Sequence, residues 1–251
     1  MATLLNSAQS TMTGADPAVA TITEPTQGNL LIAVCTERSG GDATNHALTD
    51  ITGWEHTIAS TIEQASGTYR RTFSIFWKEA GASEGTSLTF DDGTANSKYL
   101  TVYEYQHVGG SEDQWVLLDS ASNDNGTTSN ATTIASGTTG SQSGEMFIFA
   151  AASVKRPNSL VDTSPWSWDS GLSEDATFDP SVGNTMAHGG GSDAKDTATG
   201  TKSSTVTLTA HASNIGLAAG ILVFDVESGA AYPLEILQAI RFKNRQPKLG
   251  M

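Results

Sequence analysis

The sequence predicts an all-β protein: an antiparallel two-sheet sandwich with long surface loops and a short C-terminal arm or helix. Three observations carry this. Ten segments rich in β-branched, aromatic or alternating residues are separated by Gly, Asn, Asp or Pro, and no long segment has a clear helical period. A strand layout occurs twice, Gly28-Asn29-Leu30-Leu31-Ile32-Ala33-Val34 returning as Gly144-Glu145-Met146-Phe147-Ile148-Phe149-Ala150, an offset of 116 residues. Finally, 251 residues with 37% hydrophobic content can bury a full core, as all-β sandwiches of about 200–250 residues commonly do in one domain.

The candidate strands run 18–23, 29–36, 54–60, 68–78, 86–91, 98–107, 115–120, 145–154, 204–210 and 216–226. The second is an apolar run with the only cysteine, Cys35, inside it, so no disulfide can form within the chain. The fourth places Phe73, Ile75 and Trp77 on one face, as core residues would be. Leu88-Thr89-Phe90 returns as Val206-Thr207-Leu208, and Leu100 to Tyr105 returns as Ala219 to Asp225, with Trp54 and Trp166 each following the apolar strand of its half. The repeat is far longer than a solenoid period and reads as a duplicated layout. Thr205 to Thr209 alternates, as a half-exposed antiparallel strand does. Met146 to Phe149 and Gly220 to Val226 are apolar on both faces. In a two-sheet sandwich such strands expose hydrophobic surface, so closed association with copies of the chain is expected to cover them; a homotrimer is expected by analogy alone. Two hydroxyl-rich segments, 120–143 and 181–204, lack apolar periodicity and read as loops or wandering surface strands, and loops of this length are usually functional or mobile.

Charge divides the chain. The net charge of −14 excludes phosphate-backbone binding by the main body, which needs a basic contact face. The last eleven residues carry +4 through Arg241, Lys243, Arg245 and Lys248, next to Leu234, Ile236, Leu237, Ile240 and Phe242. A terminus that is both apolar and basic suits docking on an acidic neighbour. The expected organisation is therefore a sandwich over 1–228 and an apolar, basic assembly arm over 229–251. No stretch reaches the roughly 18 apolar residues of a membrane span, and the start lacks the pattern of a secretory leader. A soluble protein made in a cytoplasm is expected.

Chemistry-bearing motifs are sparse. His46, His56, His107, His188 and His211 have no metal-ligand spacing, and no Gly-x-Ser-x-Gly pentapeptide occurs. Gly200-Thr201-Lys202-Ser203 resembles the end of a phosphate loop, but lacks the glycine before its lysine and the following helix, and reads as a turn entering a strand. Asp91-Asp92-Gly93 and Asn123-Asp124-Asn125-Gly126 could offer oxygens to calcium, but neither continues to the glutamate of a helix-loop-helix calcium site, and the turn reading is favoured. Glu79, Glu84, Asp162 and Asp169 could supply an acid pair, with no aromatic-lined cleft to accompany them. No enzymatic activity, metal or cofactor is expected. Trp166 and Trp168 are the candidate exposed aromatics for stacking on a host glycan.

The apolar runs at 28–34 and 220–225, with Gly53-Trp54, Trp77-Lys78-Glu79-Ala80, Ser87-Leu88-Thr89-Phe90 and Val102-Tyr103-Glu104-Tyr105, resemble a jelly-roll type found in structural proteins of tailed bacteriophages. The resemblance covers about residues 15–228. Its low charge content, 16%, fits such surfaces, which are polar through hydroxyls and amides. It implies a non-enzymatic β-sandwich carried on the virion. The leading expectation is a capsid decoration (cement) protein whose partners are its own copies, the major capsid protein or other virion proteins. The alternative is a tail-associated or receptor- or glycan-binding module. The sandwich begins near the N-terminus without a fibrous stem, which favours the capsid.

Overall fold

The computed structural model describes residues 2–10, 17–38, 51–63, 70–91, 97–107, 115–125, 132–155, 166–169, 171–178, 186–207 and 215–225. Their regular structure is entirely β-strand. The first half of the chain supplies β1 (Ala2–Gln9), β2 (Ala18–Thr21), β3 (Leu30–Arg38), β4 (Glu55–Glu63), β5 (Arg70–Glu79), β6 (Ser87–Phe90) and β7 (Ser97–His107). The second supplies β8 (Val116–Asp124), β9 (Thr133–Ala135), β10 (Met146–Lys155), β11 (Ser167–Trp168), β12 (Ser173–Phe178), β13 (Met186–Asp196), β14 (Thr205–Thr207) and β15 (Ile215–Asp225).

The repeat in the sequence is a repeat in space. One antiparallel sheet has the order β1-β7-β3-β5-β4 and the other, read from its β8 edge, β8-β15-β10-β13-β12, so each half builds one five-stranded sheet with the same connectivity. The slips on the edge strands recur as well, while the β10 ladders carry two that β3 lacks. The β1 ladder slips between Leu4 and Asn6 and the β8 ladder between Leu117 and Asp119, while β4 slips between His56 and Ile58 and β12 between Glu174 and Ala176. The two sheets pack face to face with an approximate two-fold relation, β3 against β13 as β5 against β10, and β4 against β8 as β12 against β1.

Facing corrects the offset read from the sequence. Leu30, Ile32 and Val34 point into the core between the central sheets, and so do Phe147, Phe149 and Ala151. Met146, Ile148 and Ala150 point away from it. The structural counterpart of Leu30 is therefore Phe147, at an offset of 117, because a one-residue slip exchanges the two faces of a strand.

The shared core is aromatic. Tyr103 packs on Phe149 at 5.3 Å between ring centroids, Tyr105 on Phe147 at 4.7 Å, Trp77 on Phe224 at 5.2 Å and Trp115 on Phe147 at 5.7 Å. The outer face of each central sheet is covered as well. The β2–β6 ribbon lays Ala18, Ala20, Leu88 and Phe90 over Leu31, Ala33, Cys35 and Phe76, and the β9-β14-β11 sheet lays Ile134 and Val206 over Ala152, Val154 and Ala219. The molecule is a four-layer stack. The strands that are apolar on both faces are thus covered by the chain's own outer layers, and the covering role expected of other copies is met within the chain.

The two-sheet, all-β expectation holds, with this addition of covering layers. The strand order does not carry a jelly roll wound once through both central sheets, since each central sheet comes from one half only. Alternation between layers occurs inside each half instead: β1, β2 and β3 step from central sheet to cover and back, and β8, β9 and β10 do the same.

Both segments expected as loops or wandering surface strands contain ordered β-structure. The 181–204 segment holds β13, whose sequence Met186-Ala187-His188-Gly189-Gly190-Gly191 hides a central strand behind glycines. Gly190 has a spatial reason: a Cβ there would lie 2.8 Å from Phe149 Cζ and 3.0 Å from Tyr103 Oη. The 120–143 segment contains the end of β8 and β9, and its residues 136–142 pair with residues 200–204. Ser136 N–H donates to Ser204 O, Thr139 N–H to Lys202 O, and Gln142 and Gly200 exchange two bonds. Side-chain hydroxyls fill the gaps, Ser136 Oγ accepting from Ser204 N–H at 3.0 Å and Thr139 Oγ1 from Lys202 N–H at 2.9 Å. A run of Ser and Thr can be ordered without apolar periodicity when its hydroxyls complete the ladder.

Candidate functional site

The tryptophan platform expected on the surface is not there. Trp166 is 2% exposed and packs with Ile134, Val154, Val206 and Leu217 under the outer sheet of the second half, and Trp168 is half-buried between that cluster and the one around Met146 and Leu172. Trp54 does the same in the first half, meeting Phe90 edge-on at 5.1 Å with Lys78 Nζ 4.7 Å above its ring. The repeated tryptophan is a packing residue that pins a covering layer. The arm residues Leu234, Ile236, Leu237, Ile240, Arg241, Phe242, Lys243, Arg245 and Lys248 lie outside the described residues, as do Asp92, Gly93, Asp162, Gly126, His46 and His211.

The other polar candidates tie loops to strands. Glu79 Oε1 accepts the backbone N–H of Trp115, whose ring nitrogen donates to Gly28 O at 3.1 Å, so the start of β8 is fastened to the turn before β3. Glu104 Oε1 accepts from Thr26 N–H and from Asn29 Nδ2 in the same turn. Asp169 Oδ1 accepts from Thr205 N–H and Ser204 Oγ, and Glu84 pairs with Lys78. Asn123 and Asp124 end strand β8, and Asn125 Oδ1 accepts from Leu217 N–H on the neighbouring strand. His56 stacks on Phe76 and its Nε2 lies 3.1 Å from Ile58 O, and His107 meets Trp115 edge-on. Lys202 serves no phosphate loop. Its Nζ donates to Asp196 Oδ2 and to Ala198 O, each at 2.5 Å. Burial alone would raise the Asp196 carboxyl, but the Lys202 ammonium and the Ala198 N–H outweigh it and hold the group below its ordinary value of 3.8. Among the described residues no three His, Cys, Asp or Glu side chains are grouped to hold a metal.

One constellation escaped the sequence reading. On the outer face of the first central sheet, Glu37 of β3 is the register partner of both Lys98 on β7 and Thr72 on β5. Glu37 is 1% exposed and Lys98 is fully buried. Ser74, fully buried, stands beside Cys35 on the next rung of the same face, and neither Ser74 Oγ nor Thr72 Oγ1 has a hydrogen-bond partner. The second half supplies an internal control. Its corresponding rung is Val154 opposite Leu217, an apolar pair packed under Trp166. The fold therefore accepts hydrocarbon at this position, and the first half places the buried register partners Glu37 and Lys98 there instead. The signal was present in the alternation: Leu31, Ala33, Cys35 and Glu37 share a face, as do Val102, Leu100 and Lys98.

In its described part the molecule presents a layered β-block, with carboxylates and hydroxyls used to anchor turns, and a buried rung that sets Glu37 opposite Lys98 where the other half sets Val154 opposite Leu217. A scan of protein-family models, a search of curated proteins and a search of solved structures each return no match to this chain.

Proposed function

We propose that this chain is a non-enzymatic structural protein of a tailed bacteriophage virion, a decoration or cement protein held on the head through residues 229–251. The observation that carries the structural reading is the four-layer stack, in which the central strands of both sheets are covered on both faces and long-range side-chain bonds fasten the connecting turns. Such a block resists deformation, the property a lattice-bound cement needs. The virion reading rests on the sequence resemblance. The attachment reading rests on charge: an arm of +4 beside a body of −18 is complementary to acidic neighbours, and its five apolar residues supply burial. The partners proposed are the major capsid protein or other virion proteins. Attachment to the tail is the alternative location. The burial of Trp166 counts against host-glycan stacking as the primary role.

The test is truncation after residue 229, followed by binding to purified particles lacking the protein. The truncated chain is expected to keep its β-sheet spectrum and melting behaviour and to lose attachment. Undiminished particle binding would overturn the role of the arm, and density confined to the tail in electron cryomicroscopy would overturn the capsid location.

A further inference from the structure

Duplication creates a sorting problem. The two halves have the same strand order, matching bulges on both edge strands and closely matched apolar patterns, so β3 could pair with β15, and β10 with β7, in a swapped arrangement within one chain or between two. Backbone hydrogen bonding does not distinguish these arrangements from the native one. Side chains on the covered faces must do so.

We propose that the Glu37–Lys98 rung is the address that keeps the strands of the two halves sorted. In the native register the two residues stand opposite each other on adjacent strands, 1% and 0% exposed. In the swapped register Glu37 would face Leu217 and Lys98 would face Val154, the residues at the matching rung of the other half. Each swap buries one charge against hydrocarbon with no counter-charge, which is far more costly than an opposed pair. The apolar rung cannot reject the wrong partner, because Val154 and Leu217 pack against any hydrophobic side chain. The ionic rung can. A buried ion pair adds little net stability compared with apolar residues of similar size, and setting register or partner is its best-attested use. Its presence in one half only is what sorting requires, since two identical ionic rungs would discriminate nothing.

The experiment refolds the full-length chain from denaturant over a range of chain concentrations and measures native yield, size distribution and the stability of the native fraction. E37V/K98L installs the other half's residues. It is expected to melt at or above the wild-type temperature once native, while its refolding yield falls several-fold and swapped oligomers increase with concentration. E37K/K98E restores opposition with the signs exchanged and is expected to recover most of the wild-type yield. The proposal is overturned if E37V/K98L refolds with wild-type yield and size distribution. It is equally overturned if the yield falls only in proportion to a loss of native stability, or if E37K/K98E refolds no better than the apolar pair.

Discussion

At the scale of single residues, the two central sheets fit because one is bulky where the other is bare. Gly190, Ala151 and Gly220 form one rung of the second sheet, and its counterpart in the first is Ile75, Val34 and Thr101. A Cβ on Gly220 would collide with the Ile58 side chain and lie 3.2 Å from Ile75 Cδ1. G220A and G190A are each expected to destabilise by about 1–3 kcal/mol through overpacking, read as a lowered denaturant midpoint at unchanged m-value. Trp166 is a core residue, so W166A should cost about 3–5 kcal/mol as a cavity mutation. A variant of unchanged stability would return Trp166 to the surface. The Tyr105 hydroxyl, reaching from the first sheet to Asp175 Oδ2 at 2.5 Å on the bulge of β12, fastens the sheets across their interface. Y105F should cost about 1–3 kcal/mol, since the acceptor is a carboxylate.

At the scale of elements, the hydroxyl-laced ladder between residues 136–142 and 200–204 does the work that apolar burial does elsewhere. Asp119 anchors it from β8, accepting from Gly140 N–H at 2.8 Å. T139V removes the acceptor for Lys202 N–H, and hydrogen exchange at Lys202 and Ser204 is expected to accelerate while amides of β10 stay protected. Equal acceleration throughout would mean that the ladder has no independent stability. The same strap titrates. Asp196 is held below its ordinary value when folded, so its contribution is fully present above about pH 4 and is lost as the pH falls through the folded value. D196N should flatten that acid limb of the stability profile relative to wild type. An unchanged limb would assign the acid sensitivity to other carboxylates.

At the scale of the molecule, the halves are alike in connectivity but share one core. Phe147, Phe149 and Phe224 from the second half interleave with Tyr103, Tyr105 and Trp77 from the first, so neither sheet keeps its inner face covered alone. Thermal unfolding is expected as one transition, with calorimetric and van't Hoff enthalpies equal. Two resolved transitions would show that each half and its covering layer is a separate cooperative unit.

Much of this architecture was legible in the chain. The all-β class, ten strand positions and the duplication follow from alternation, apolar runs and turn residues, because those patterns are local. Strand β13 was not legible: its glycines serve residues from other strands, and only the position of Phe149 and Tyr103 explains them. Nor was the order in the 136–142 and 200–204 segments, whose hydroxyls act across more than 60 residues. Trp166 looked exposed because its neighbours are polar, although its repeat partner Trp54 carried the hint of a packing role. By itself the sequence determined the all-β class, ten of the fifteen strands, the duplicated order and the acidic body with its basic end, all properties of short windows or of composition. Only the tertiary structure decided which face of each strand meets which layer, that the chain covers both faces of its own central sheets, and that Glu37 meets Lys98 in the interior, because those outcomes depend on which distant strands become neighbours.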